Sequence, residues 1–267
     1  DYDRWAQMGL TGWSYAHCLP YFRKAQTHEL GPDPYRGGDG PLHVSAGKMR
    51  NPLFKAWLEA GRQAGYPITE DMNGYQQEGL GRMDSTIRNG ERWSAAKAYL
   101  RPAMQRPNVT VLTGALVLRV LFHGTRAAGV AYATGRTTHE ARAAREVIVS
   151  GGAINSPHIL LLSGVGPADH LRSHGIEVVA DRPGVGENLQ DHIETYVQHA
   201  CTQPITLYSA TKPLSQLQIG ITWMLMRKGL GASNQFEAGG FIRSRPGVEH
   251  PDLQYHFLPI AMNYDGT

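Results

Sequence analysis

The stretch from Glu146 to Gly166, EVIVSGGAINSPHILLLSGVG, carries residue types and spacings suited to chemistry. Val147, Ile148 and Val149 form a short β-branched run, as expected of a strand covered on both faces in a parallel sheet. Ser150, Gly151 and Gly152 break the run. Ser156 is placed to cap a helix and Pro157 to open it, with Ile159 to Leu162 as the apolar body and Gly164 closing it in the left-handed conformation. A strand that turns straight into a helix aims backbone N–H groups at whatever lies beyond the strand end, commonly the phosphates of a nucleotide. The same junction also occurs in α/β proteins that bind nothing there. Other candidate motifs fail on spacing. His170 and His174 stand at i and i+4 on one expected helix face, but no third ligand is near, so no metal site is expected. Gly184-Val-Gly186 begins a dinucleotide fingerprint, yet Leu189 occupies the place of its third glycine. No G-x-S-x-G elbow, P-loop or H-E-x-x-H occurs.

That junction needs a sheet around it and a second layer beyond it. Val109 to Leu112, Val117 to Phe122, Gly129 to Tyr132 and Val147 to Val149 read as successive strands, with His123-Gly-Thr-Arg126 as a hairpin turn. Pro167 opens a helix ending near Gly175, and Ile176 to Ala180 reads as another strand. Upstream, Ser14 caps a helix on which Tyr15, Cys18 or Leu19, and Phe22 recur at helical spacing, with Pro20 kinking or ending it. Gly31 to Pro41 is a loop by its density of breakers. Asn51 and Pro52 open a helix with Leu53, Trp57 and Leu58 as its buried stripe and Gly65 as its end. Asp71-Met-Asn-Gly74 is a turn, and Ser94 caps a helix through Tyr99 and Leu100. From Ile193 the pattern changes to alternating segments: Ile193 to Cys201, Gln235 to Arg243 and Leu253 to Leu258. An apolar helix from about Leu214 to Met226 separates them, which suits an antiparallel sheet with one covered face. The fold class is therefore mixed, α/β with an α+β part.

Composition sets the outer bounds. The 267 residues leave room for about two domains. Hydrophobic residues at 41%, charged residues at 18% and a net charge of +3 describe an ordinary globular chain and give no basis for nucleic-acid binding. Cys18 and Cys201 cannot build a disulfide framework and are expected to be reduced, packed thiols, which favours an intracellular compartment. No apolar run approaches the roughly 18 residues of a membrane span, so any membrane contact is expected to be peripheral. Asp1 is not an initiator methionine, and Tyr264-Asp-Gly-Thr267 follows directly on a strand-like run, so the sequence is expected to be the middle of a longer protein.

The run GAINSPHILLLSGVG at 152–166 resembles the second signature of the glucose-methanol-choline (GMC) flavin oxidoreductases. PGVGENLQDH at 183–192 resembles a further block of that family, and NGERWSA at 89–95 with Tyr99 and Leu100 a third, all in the family's order. The similarity extends over nearly the whole chain and points to the choline-oxidising members. It implies an FAD-binding, Rossmann-like domain interleaved with an antiparallel-sheet substrate domain. Residues 1–41 become a lid or connecting segment, 42–84 part of the substrate domain, 85–191 part of the FAD domain, and 192–267 substrate domain again. FAD is the implied cofactor, with Val117, Ser150, Gly151, Gly152 and Asn188 against it and the Val117 backbone at the adenine.

The implied activity is oxidation of a primary alcohol, choline to betaine aldehyde in glycine betaine synthesis. Hydride passes to flavin N5 and then to an acceptor other than NAD, such as a quinone. Another GMC alcohol dehydrogenase or oxidase, or a flavin-fold binding module without redox activity, stays open. The implied location is mitochondrial and associated with the inner membrane in a eukaryote, or at the cytoplasmic membrane in a bacterium. The family's main catalytic histidine falls beyond Thr267 and its phosphate-binding glycine fingerprint before Asp1, so the chain alone is expected to be inactive. His256, in Gln254-Tyr-His-Phe257, matches a second active-site histidine of the family and equally reads as a structural strand histidine.

A quaternary ammonium donates no hydrogen bond, so its pocket must hold it by charge and by aromatic faces. Neighbours in a strand point to opposite faces, so only one of Phe236 and Glu237, and one of Tyr255 and His256, can face such a pocket. Two arrangements remain. Either Glu237 lies in a wet cavity beside His256, or Phe236 forms an aromatic wall there with Glu237 in a salt bridge outside. The resemblance favours Phe236 as the wall.

Overall fold

The computed structural model describes residues 1–263. Residues 264–267, where the expected break after a strand-like run falls, lie outside the described residues. The chain forms two units, Asp1–Val109 with the chain from Tyr196 onward, and Thr110–Thr195.

The first unit begins with α1 (Tyr2–Gln7) and α2 (Tyr15–Ala25), whose Tyr2 and Phe22 rings meet edge-on at 5.3 Å. Ser14 caps α2 as expected, its Oγ accepting the His17 N–H at 3.4 Å, while Pro20 sits inside the helix without ending it. β1 (Gln26–His28) pairs in parallel with β2 (Leu42–Ala46) across the breaker-rich loop. Asn51 then caps α3 (Pro52–Gln63), its side chain accepting the Leu53 N–H at 2.9 Å. The helix buries Phe54 fully, with Leu53, Trp57 and Leu58 half-buried beside it. It lies tight on the following sheet because residue 61 is glycine: a Cβ there would stand 2.0 Å from Leu80 Cδ1.

That sheet is assembled from distant segments. β3 (Ile68–Thr69) runs parallel to β4 (Gly79–Arg82), while β5 (Asp84–Ser85) crosses over to pair with β2. β6 (Ile87–Arg88) and β7 (Glu91–Arg92) make a small hairpin. Ser94 Oγ accepts the Lys97 N–H at 3.4 Å and starts a π-helical turn, Ala96–Leu100, that runs into α4 (Arg101–Ala103).

The second unit is built on an antiparallel meander of β8 (Ala115–His123), β9 (Arg126–Thr134) and β10 (Thr137–Arg142). The expected hairpin turn holds, with His123 opposite Arg126 and Gly124 at φ +59°. α5 (Gly152–Leu162), β11 (Val165–Gly166), α6 (Ala168–Ser173) and β12 (Ala180–Asp181) follow, β11 and β12 pairing in parallel. Gly164 and Gly175 take φ of +82° and +68° just past the ends of α5 and α6, as helix-closing glycines do. The chain then returns to the first unit with α7 (Pro213–Met226), β13 (Ala238–Ile242) and β14 (Leu253–Phe257). β13 lies antiparallel between β4 and β14, completing the order β14-β13-β4-β3.

Several expected strands do not form. Val147 to Val149 pairs with no strand among the described residues, and Ile148 is 77% exposed instead of covered on both faces. Val109 to Leu112 and Ile193 to Cys201 are also irregular, and Ile176 to Ala180 contributes only Ala180 to β12. A strand exists only through hydrogen bonds to a neighbour, and an apolar pattern does not supply one. Conversely β10 is exposed at all six positions, so it carries no alternation to read. Cys18 is buried as expected, whereas Cys201 is exposed.

The first unit is tied together by a buried ion cluster. The Arg36 guanidinium, 6% exposed, donates to both carboxylate oxygens of Asp71 and, at 2.6 Å, to Asp84 Oδ2. His28 Nε2 lies 3.2 Å from the same Asp84 oxygen. Burial pushes the Asp71 carboxyl up, but the Arg36 hydrogen bonds, the Asn73 N–H and the Arg36 charge outweigh it and hold the group below its ordinary value. A lowered carboxylate pKa stabilises the fold fully above the ordinary value, and that stabilisation is lost as pH falls through the lowered one. Arg36→Met strands two carboxylates and is expected to cost about 3–5 kcal/mol in chemical denaturation. Asp71→Asn should flatten the acid limb of the stability profile, and an unchanged limb would remove Asp71 from it.

Candidate functional site

In the second unit, the entry into α5 turns on glycines rather than on Ser156, with irregular chain and not a strand before it. α5 starts at Gly152 with Gly151 in the cap position, five residues earlier than Ser156 and Pro157 suggest. Ser156 acts from inside the helix, its Oγ accepting the Gly151 N–H at 2.8 Å. The glycines win because Gly152 takes φ +86°, which closes the turn at no steric cost. A Cβ at Gly152 would meet nothing within 4 Å, so the space beside the turn is open. Ser150, Gly151 and Gly152 are all exposed, and the first turn of α5 carries no acidic side chain and no side-chain cap. Uncapped amides at the positive end of an 11-residue helix, beside open space, suit a phosphate or another electron-rich group.

Ser163 fixes this helix to the meander, its Oγ accepting the buried Val120 N–H at 2.8 Å while bonding back to the Ile159 carbonyl. Val117 stands on the same strand β8, opposite Tyr132, at a point where the ladder slips before Arg119. Asn188 lies in the irregular chain after β12, exposed and left-handed at φ +56°. Among the described residues no hydrogen bond joins Asn188 to the glycine turn.

In the first unit, the β13–β14 register places His256 opposite Gly239. Tyr255 and Phe257 turn to α3, where Phe257 stacks on Trp57 at 5.4 Å and Tyr255 stands 6.4 Å from the same ring. His256 therefore faces away from α3, and Phe236 meets its ring edge-on at 6.0 Å. Just before β13 the chain carries Glu237 to different partners. Its carboxylate, 7% exposed in the residue as a whole, accepts the Met49 N–H at 2.6 Å and the Ser233 hydroxyl at 2.7 Å. Phe236 beside His256 is thus the arrangement found, but the salt bridge outside is not. A backbone amide and a hydroxyl take the place of the cation, which lets the carboxylate stay inside.

Glu237 lines a cavity of about 310 Å³ together with Glu29, His43, Lys48, Asn89 and Ser233. Lys48 Nζ pairs with Glu29 at 2.7 Å. Burial raises the Glu29 carboxyl, yet the Lys48 hydrogen bond, the Ala46 N–H and the Lys48 charge bring it below its ordinary value. Burial, helped by the nearby Arg88 charge, pushes the His43 imidazole down and keeps it neutral near neutral pH. With Lys48 matched to Glu29, the Glu237 charge is in excess, so the cavity suits a cation or a strong hydrogen-bond donor. Glu29, His43, Lys48 and Ser233 carried no motif in the sequence. The signal available was Asn89-Gly90, which heads one of the family-like blocks and lines the same cavity.

Residues 1–194 match the family model described as GMC oxidoreductase. Mouse "Choline dehydrogenase, mitochondrial" is 63% identical over 259 residues, 97% of this chain and 44% of that protein. "Oxygen-dependent choline dehydrogenase" of Brucella ovis is 54% identical over 266 residues, 100% of this chain and 48% of the relative. Among solved structures, an FAD-dependent oxidoreductase from Chaetomium thermophilum superposes with a TM-score of 0.79 at 29% identity, covering 90% of this chain and 45% of that one. A formate oxidase does so with a TM-score of 0.79 at 25% identity, covering 91% and 44%. The chain spans about half the length of the curated relatives it matches.

Glu237→Leu removes the acceptor of the half-buried Met49 N–H and of the Ser233 hydroxyl and is expected to lower stability by about 1–3 kcal/mol. Glu237→Gln keeps an acceptor and should cost less. Equal losses in thermal unfolding would mean that the hydrogen bonds at Glu237 contribute nothing.

Proposed function

The chain belongs to the GMC oxidoreductase family, and from that premise we propose that the whole protein oxidises a primary alcohol with FAD, converting choline to betaine aldehyde. The observation that carries this reading is the 63% identity to a choline dehydrogenase over 97% of the chain. The residues present fit the cofactor: the open turn at Ser150, Gly151 and Gly152 leads into a helix with no side-chain cap and would leave it backbone amides beyond the Gly151 N–H that Ser156 takes, with the Val117 backbone and Asn188 in the same unit. Bound there, FAD would supply the acceptor for the hydride that leaves the alcohol carbon.

The chain's own residues bind and orient the substrate. His256 is the hydrogen-bond partner of the alcohol hydroxyl, and Phe236, edge-on at 6.0 Å, holds that ring in place and offers an aromatic wall to the quaternary ammonium. Glu237, fixed by Met49 and Ser233, lines a cavity whose walls include neither Phe236 nor His256, so it is the alternative anchor for the ammonium and not a second contact beside the aromatic wall. Residues 42–84 and 192–267 form the substrate side in this reading, supported by the pairing of β4 with β13, while 85–191 serve FAD and 1–41 connect or cover. Electrons pass to an acceptor other than NAD, such as a quinone, at a peripheral membrane contact. That membrane is the inner mitochondrial one in a eukaryote and the cytoplasmic one in a bacterium. No helix among the described residues is long and apolar enough to cross a membrane.

The full-length protein is expected to show a flavin absorbance spectrum that bleaches when choline is added without oxygen, and a spectrum indifferent to choline would refute the substrate. Phe236→Ala should raise the KM for choline relative to an uncharged alcohol of the same shape by roughly 2- to 30-fold, the range set by one aromatic–cation contact. Gly152→Leu should fold yet lose flavin. Normal flavin content in that variant would move the cofactor away from the turn.

A further inference from the structure

We propose that α7 is a membrane-docking element that lies in the headgroup layer of an anionic lipid surface, which gives the peripheral contact of the proposed function a structural basis. Leu214, Leu217, Ile221, Met224 and Leu225 fall at i, i+3, i+7, i+10 and i+11 and form one stripe about 100° wide. That stripe faces solvent, with exposures of 82%, 61%, 48%, 70% and 80%. The opposite side of the helix is already used: the Trp223 indole donates to the Gly90 carbonyl at 2.7 Å, and Ile219 and Trp223 crowd Gly231. A helix apolar on both sides needs a second apolar partner, and 14 residues of α-helix give that partner a contact line about 21 Å long.

Charge decides what the partner is. No Asp or Glu stands between Glu194 and Glu237, whereas Lys212, Arg227 and Lys228 flank the stripe at its two ends. Arg227 is engaged, 3.2 Å from Glu91 and 4.1 Å over the Trp223 ring. Among the described residues no carboxylate pairs with Lys212 or Lys228. Lys212 occupies the N-cap of α7, where no side chain caps the helix and the helix dipole disfavours a cation. A lipid phosphate at that end reverses the penalty by meeting both the amides and the ammonium. An apolar stripe between unpaired cations, with no acid along it, is the composition of a helix lying in an anionic interface. Tyr208, 69% exposed just upstream, is of the type enriched at that depth.

The test uses the full-length flavoprotein in flotation with vesicles of phosphatidylcholine plus phosphatidylglycerol, against phosphatidylcholine alone. Binding is expected to the mixed vesicles, to weaken roughly 30-fold in K212E/K228E, and to vanish in L217D/I221D. Both variants should keep the flavin spectrum and choline oxidation with a soluble acceptor. That solution assay reads the proposed activity separately, so its failure and the failure of docking are distinguishable. The proposal is overturned if the wild type ignores both vesicles, or if L217D/I221D loses its flavin because the stripe packs inside the whole protein. It is equally overturned if L217D/I221D only converts a dimer to monomers, because a second copy then covers the stripe.

Discussion

A single guanidinium holds the first unit in register. Arg36 comes from a loop with no regular structure, yet its buried charge must be matched, and the matching carboxylates come from a turn at Asp71 and from β5 at Asp84. Asp33 prepares the loop by accepting the Tyr35 and Arg36 amides, both at 2.6 Å. Because a buried charge without partners costs several kcal/mol, the loop, the turn, β1 and β5 have one way to sit together. The cavity depends on this, since His43, Ser45 and Ala46 of β2 and Ser85 of β5 are among its walls. The cluster touches no candidate site residue, but it sets the strands that surround Glu237.

Local chemistry made much of the fold legible. Ser14 and Asn51 announced their helices through side-chain oxygens, and Gly65, Gly164 and Gly175 announced helix ends through the conformation only glycine adopts freely. The same reasoning misplaced the start of α5, because Ser156 and Pro157 have the look of a cap and first residue while two glycines upstream turn the chain at lower cost. Strand expectations failed where pairing had to come from elsewhere, as at Val147 to Val149 and Ile193 to Cys201. They succeeded at β13 and β14, which find each other across a short connection.

The candidate site was legible one residue at a time and not as an arrangement. The expected alternation separated Phe236 from Glu237, but only the ring contact in the folded chain shows which of them meets His256. Nothing in the sequence marks Met49 as the amide that lets Glu237 be buried, since the two are far apart along the chain and Met49 is in the left-handed region at φ +48° for no local reason. Glu29, Lys48 and Ser233 reach the same cavity from three separate segments.

The order β14-β13-β4-β3 also sets a timetable for synthesis. Gly81 of β4 pairs with Gly239 of β13, so β4 leaves the ribosome long before its partner exists. At about 5–20 residues per second, the roughly 160 residues between them keep that sheet edge waiting on the order of ten seconds or more. The meander of the second unit, by contrast, closes through neighbouring segments as it emerges. β4 is suited to the delay: Gly-Leu-Gly-Arg is short, poor in side chains and ends in a charge, a weak template for another nascent chain to join.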